Sequence, residues 1–146
     1  MSCSITFMAI PAYLLPVGAL PSTLDWDGVR DLSTRYALQV SAIDRQHAIL
    51  FGWYVWLKTA PDVRPTLEGL RAYAEGHFHD EEQWALSHGL DILNHQEEHA
   101  GLLRDLDELL QRPKPSRIEA QAFVYDWLTC HIDSTDRAMV LEATLV

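Results

Sequence analysis

HFHDEEQWALSHGLDILNHQEEH, residues 77–99, contains two helices and the break between them. His77 and Glu81 are four residues apart, and so are His95 and His99. Four residues advance a helix by one turn with a net rotation of about 40°, so each pair leaves from one face. Gly89, between the pairs, is the residue type that stops helices in a left-handed turn. The expected helices run from about Asp62, as N-cap, to His88, and from about Asp91 to Gln111. Apolar positions fall on the same faces: Leu70, Tyr73, Ala74, Phe78, Trp84 and Ala85 on the first, and Ile92, Leu102, Leu106 and Leu109 on the second.

Two more helices flank this pair. Ser41 and Asp44 have the spacing of a capping signal. A helical apolar pattern then follows through Ile43, His47, Leu50, Phe51, Tyr54 and Leu57, and it must end before Pro61. The back of this helix is apolar too, with Trp53, Val55 and Trp56, and a helix apolar all round is covered all round. The expected cover is the apolar stretch 5–20 or a second copy of the chain. After Pro113 and Pro115, Ser116 and Glu119 repeat the capping pattern, and Ala120, Phe123, Val124, Trp127, Leu128, His131 and Ile132 mark an inward face. No strand-like alternation occurs. The expected fold is all-α, an up-down-up-down four-helix bundle over residues 24–146 behind an apolar N-terminal segment, residues 1–23.

Composition narrows the partners. The chain has 146 residues, 48% of them hydrophobic, which fits one domain with a real core. Its formal net charge of -10 argues against nucleic acid or an anionic membrane as partner. Residues 1–23 contain no Lys or Arg, and Pro11, Pro16 and Pro21 interrupt them, so neither an export signal nor a membrane anchor is expected. The expected location is cytoplasmic. The two cysteines, Cys3 and Cys130, form no CxxC pair, which excludes zinc-ribbon and thioredoxin chemistry. Cys130 reads as a small buried hydrophobe turned about 100° from His131.

The chemistry lies in the histidines. His47, His77 with Glu81, His95 with His99, and His131 with Asp136 supply five imidazoles and two carboxylates, too many donors for one metal ion and about right for two. Imidazole and carboxylate without sulfur suit iron ahead of zinc or manganese. If both acids and one solvent oxygen bridge two irons, the iron with three histidines has six ligands and the iron with two has five. His95, His99 and His131 are expected on the closed iron, His47 and His77 on the open one, and Glu81 and Asp136 between them. Asp136 follows His131 by five residues, about 140° around an ideal helix, so the last helix must end, kink or bulge between Ile132 and Asp136. Leu50, Phe78, Trp127, Leu128 and Ile132 are expected to wall the open position and exclude water, which favours reversible ligand binding over activation. His79 faces the other side of its helix. His88 lies roughly 16 Å along from His77 and suits a helix end. Glu82, Glu97 and Glu98 read as surface charges, and Tyr73 as core packing.

IDRQH (43–47), HFHDEE (77–82), HQEEH (95–99) and WLTCHIDSTD (127–136) resemble the hemerythrin family, the bacterial hemerythrins in particular. The resemblance covers roughly residues 26–136, and all seven of the family's ligand positions are matched. LDWDGV (24–29) is similar to the family's tryptophan-containing lead-in. The resemblance implies a non-heme, oxo- or hydroxo-bridged di-iron centre that binds dioxygen reversibly for storage, delivery or scavenging. The apolar extension before Leu24 and the glycine-poor start of the first helix depart from the family pattern. Residues 1–23 and the back of that helix are therefore the expected route to a homo-oligomer or a partner protein. A binding protein is expected ahead of an oxygen sensor acting through a partner. It is also expected ahead of an enzyme reducing nitric oxide, peroxide or dioxygen, because no proton or electron path is evident.

Overall fold

The computed structural model describes residues 20–145. Every regular element among them is helical: α1 (Trp26–Arg35), α2 (Ser41–Leu57), α3 (Val63–Ser87), α4 (Leu93–Leu110), α5 (Arg117–Cys130), a π-helical turn (His131–Asp136) and α6 (Arg137–Thr144). No described helix is long and apolar enough to cross a membrane.

α1 has no counterpart among the helices expected from the sequence. Its ten residues bury one apolar side chain fully, Val29, which leaves too sparse a pattern to see. Its start is defined instead by Asp25, whose carboxylate accepts the Gly28 N–H at 3.0 Å. This helix also explains why α2 is apolar on all sides. α2 packs against α1, α3 and α5, so Trp53 and Val55 are buried as well as Leu50 and Phe51. The stretch 5–19, expected as the cover, lies outside the described residues; Leu20 and Leu24 sit against Gly52.

The helix ends follow local chemistry. Ser116 caps α5, accepting the Glu119 N–H at 3.3 Å. At α2 the capping reading needs correction. Val40 is the N-cap, and Asp44 instead accepts the Leu38 and Gln39 N–H groups at 2.8 and 3.0 Å. That clasp holds Gln39 at φ 67°, a left-handed conformation unusual outside glycine. α3 ends in a Schellman turn: Gly89, at φ 77°, donates to Leu86 O, and Leu90 donates to Ala85 O. Two arginines satisfy orphan carbonyls at the other end of the molecule. Arg117 donates to Leu57 O and Ala60 O at 2.7 and 2.6 Å, and Arg64 donates to the Leu110, Arg112 and Pro113 carbonyls.

The core runs between these helices through Leu57, Leu67, Leu70, Tyr73 and Leu106, each fully buried. α3 lies close to α2 because Gly69 has no side chain. A Cβ there would come within 2.4 Å of the Trp53 ring. Cys130 is exposed, not buried as the sequence suggested, since it stands on the outer side of the helix from His131.

Gly69→Ala should therefore destabilise the fold. The clash with a rigid buried indole costs about 1–3 kcal/mol, and the gain in helix propensity returns at most about 1. The expected fall in Tm is a few degrees. Gly101→Ala, where a new Cβ would meet only the tip of Arg104 at 3.4 Å, should hold or raise Tm. Thermal unfolding followed by circular dichroism checks both, and an unchanged Tm for Gly69→Ala would count against this packing.

Candidate metal centre

The seven expected donors come from four segments. His47 projects from α2, His77 and Glu81 from α3, His95 and His99 from α4, and His131 and Asp136 from the π-helical turn. All seven are buried, none more than 8% exposed. Burying two carboxylates and five imidazoles costs far too much unless they satisfy one another or hold a cation.

The π turn is what lets its two donors meet. In a π helix the hydrogen bond spans i to i+5, so residues five apart stack on one side. His131 and Asp136 are five apart, and His131 Nε2 lies 3.0 Å from Asp136 Oδ1. The bulge expected between Ile132 and Asp136 is thus a full π turn beginning at His131.

The carboxylates divide their oxygens between two sets of imidazoles. Glu81 Oε2 lies 3.3 Å from both His47 Nε2 and His77 Nε2. Its Oε1 lies 3.1 Å from His95 Nε2 and 3.2 Å from His99 Nε2. Asp136 behaves likewise: Oδ2 is 3.1 Å from His47 Nε2, and Oδ1 is 2.9 Å from His95 Nε2. The donors form two overlapping groups, each able to hold a metal ion. One is His95, His99 and His131 with both acids; the other is His47 and His77 with both acids.

The outward-facing nitrogens show why a cation fits. His77 Nδ1 meets Gln46 Oε1 at 2.7 Å, His99 Nδ1 meets Glu82 Oε2 at 2.7 Å, and His131 Nδ1 meets Glu98 Oε1. Each acceptor draws the imidazole N–H to Nδ1 and leaves a lone pair on Nε2, aimed inward. His99 and His131 then point Nε2 at Nε2, 3.1 Å apart. Asp136 Oδ2 has no protein hydrogen bond, although His47 Nε2 lies 3.1 Å away. Lone pairs facing lone pairs in a buried site require positive charge between them.

In the metal-free protein, protons supply that charge. Burial works against charging His47 and His95, but the Asp136 and Glu81 carboxylates outweigh it and push both imidazoles up to about 9. His131 is raised well above its ordinary value by the same carboxylates and Glu98, again against burial. For His77, burial outweighs Glu81 and lowers the value. Burial alone would raise the two acids, yet the surrounding imidazoles hold both below the usual carboxylate range.

Several sequence expectations change here. Glu82 and Glu98 are not free surface charges; they anchor His99 and His131. Gln46, within the quoted IDRQH stretch, does the same for His77. Phe78 stacks on His99, with centroids 3.9 Å apart and planes 7° apart, and lies edge-on to His131 and Trp127. Phe78, with Trp127 behind it, packs over the three-histidine group and also lies 5.7 Å from the His77 ring, so it borders both sides of the cluster. Leu50, Leu128 and Ile132 are buried core side chains within a turn of His47 or His131. His79 is exposed, and His88 caps the end of α3 through Trp84 O at 2.9 Å. Tyr73 is packed in the core, its hydroxyl without a protein partner.

Two outcomes test this centre. His95→Ala should lose bound metal while His79→Ala keeps it, as read by metal analysis; equal metal content would overturn the assignment. Metal must also displace protons from His47 and His95. Uptake near pH 7 should release protons, and apparent affinity should rise with pH until about 9, then level. The opposite holds for stability without metal. The contribution from these raised imidazoles is full below about 6.5 and lost as pH rises through about 9. A pH-independent metal affinity would contradict the proton account. Comparison of the chain with protein-family models, curated proteins and solved structures finds no match, so the role of the site rests on its donor geometry.

Proposed function

We propose that this protein is a hemerythrin-like, non-heme di-iron protein that binds dioxygen reversibly, with α2, α3, α4 and α5 as its four-helix bundle. One observation carries the reading. Glu81 and Asp136 each turn one oxygen to a three-imidazole group and the other to a two-imidazole group. Carboxylates split in this way are suited to bridging two ions. The two-imidazole position has one protein donor fewer, which leaves room for a small ligand there.

The bound iron pair would supply the electrons that hold dioxygen. The chain's own residues do the rest. Glu81 and Asp136 would bind both ions and offset their charge. His47 and His77 would hold one ion with fewer protein donors than the other receives. Leu50, Leu128 and Ile132 keep the neighbourhood apolar, which slows the loss of a bound ligand in protonated, reduced form. Surplus imidazole over carboxylate leaves the site less anionic than a carboxylate-rich one, which favours binding over activation. A binding role, for storage, delivery or scavenging, is therefore preferred to an enzymatic one.

Anaerobic reconstitution with ferrous iron, followed by admission of air, tests the proposal. A visible charge-transfer band should form with air and vanish under vacuum through repeated cycles. Irreversible bleaching with release of peroxide would sink the carrier reading. Leu128→Ala, which removes a side chain only 2% exposed, should hasten autoxidation severalfold in the same spectrometer; an unchanged rate would show that this wall does not protect the site.

A further inference from the structure

The imidazoles of the cluster are not backed alike. On the three-histidine side two of the three imidazoles, those of His99 and His131, have anionic acceptors. His99 Nδ1–H donates to Glu82 at 2.7 Å, and His131 Nδ1–H donates to Glu98. Glu98 is itself held from the π turn, where the Thr135 hydroxyl contacts its two oxygens at 2.8 and 2.9 Å. On the two-histidine side no carboxylate touches an imidazole Nδ1. His77 Nδ1–H donates to the neutral amide oxygen of Gln46 at 2.7 Å. The amide nitrogen of Gln46 donates to Asp80 at 2.8 Å, which fixes the amide with its oxygen toward His77. His47 Nδ1 is buried with no protein partner.

An imidazole that donates Nδ1–H to a carboxylate carries more electron density on Nε2 and is the stronger metal ligand. An amide acceptor orients the ring but adds little charge, and an unpartnered ring gains neither. The asymmetry in backing therefore adds to the asymmetry in ligand number.

We propose that Glu82 and Glu98 are positioning residues that make the two metal positions unequal, so that the position of His95, His99 and His131 fills first and keeps its metal more tightly than that of His47 and His77. The inference rests on the two-position reading of the cluster given above. Once the first ion is bound, it has used part of the negative charge of Glu81 and Asp136, and the second ion meets a weaker site. Loading is ordered, and a half-loaded protein holds its single ion on the three-histidine side.

Stepwise titration of the metal-free full-length chain with cobalt(II), against a competing chromophoric chelator and without air, tests this. Wild type should show two resolved steps, and His47→Ala should retain the tighter one. Glu82→Gln and Glu98→Gln, which keep shape and remove charge, should each weaken the tight step by about tenfold to a hundredfold and leave the weak step nearly unchanged. Gln46→Glu combined with Asp80→Asn, whose amide can donate to the new carboxylate in place of the lost bond, should strengthen the weak step and draw the two together. Thermal unfolding of each metal-free variant guards against loss of fold, and the Gln46→Glu, Asp80→Asn pair predicts a gain in affinity that misfolding cannot produce. A single step in wild type, unchanged steps in both glutamine variants, or an equal loss at both steps would overturn the inference. Two equal steps in a protein that still binds dioxygen reversibly would overturn only the ordering. No uptake of metal at all would overturn the metal centre and the ordering with it.

Discussion

Two buried carboxylates facing five imidazoles are the constraint to which the rest of this structure answers. Glu81 is 1% exposed and Asp136 fully buried, and an uncompensated charge at such depth costs several kcal/mol or more. The surrounding Nε2 atoms compensate them only if a cation, proton or metal, sits between. That need reaches outward in two directions. It requires a π turn, because His131 and Asp136 cannot face one point from a regular helix. It also requires acceptors behind the rings, because an imidazole presents Nε2 as a lone pair only when Nδ1 holds the proton.

The scaffold keeps these groups in register through features that never touch them. α2 is apolar on every side because it is packed between α1, α3 and α5, and His47 sits on it as a buried residue among buried residues. Gly69 lets α3 lie against Trp53, which brings His77 and Glu81 alongside α2. The turn at Gly89 reverses the chain so that α4 returns beside α3, and the fork between Arg71 and Asp107, at 2.6 and 3.0 Å, joins these two helices away from the cluster. Arg64 and Arg117 close the far end by occupying helix-terminal carbonyls. The centre is thus held by rigid elements and not by loops, which suits a site that must keep donors within a few tenths of an ångström.

The hydrogen bonds behind the rings link outer residues to inner chemistry. Thr135 and Asp136 are neighbours on the π turn. One steadies Glu98 behind His131, and the other faces the imidazoles directly. A single irregular turn therefore serves both the inner cluster and its support. Glu82, beside Glu81 on α3, divides the same labour: Glu81 points into the cluster, and Glu82 reaches across to His99 on α4.

By itself the sequence determined what depends on spacing along one chain. The i, i+4 pairs at 77/81 and 95/99, the glycine stop at 89 and the mismatch of 131 with 136 all follow from helix period, which is a local property of the backbone. The tertiary structure alone decided what depends on how one helix is rotated against another. Glu82 and Glu98 look like surface charges when each helix is viewed singly, since neither shares the donor face. They become partners of His99 and His131 only because α3, α4 and the π turn bring their flanks together. Phe78 likewise could have stacked on either set of histidines, and the helix packing put it on His99. The helix α1 escaped notice for the same reason: with one fully buried apolar residue of its own, its place is set by the face of α2 that it covers.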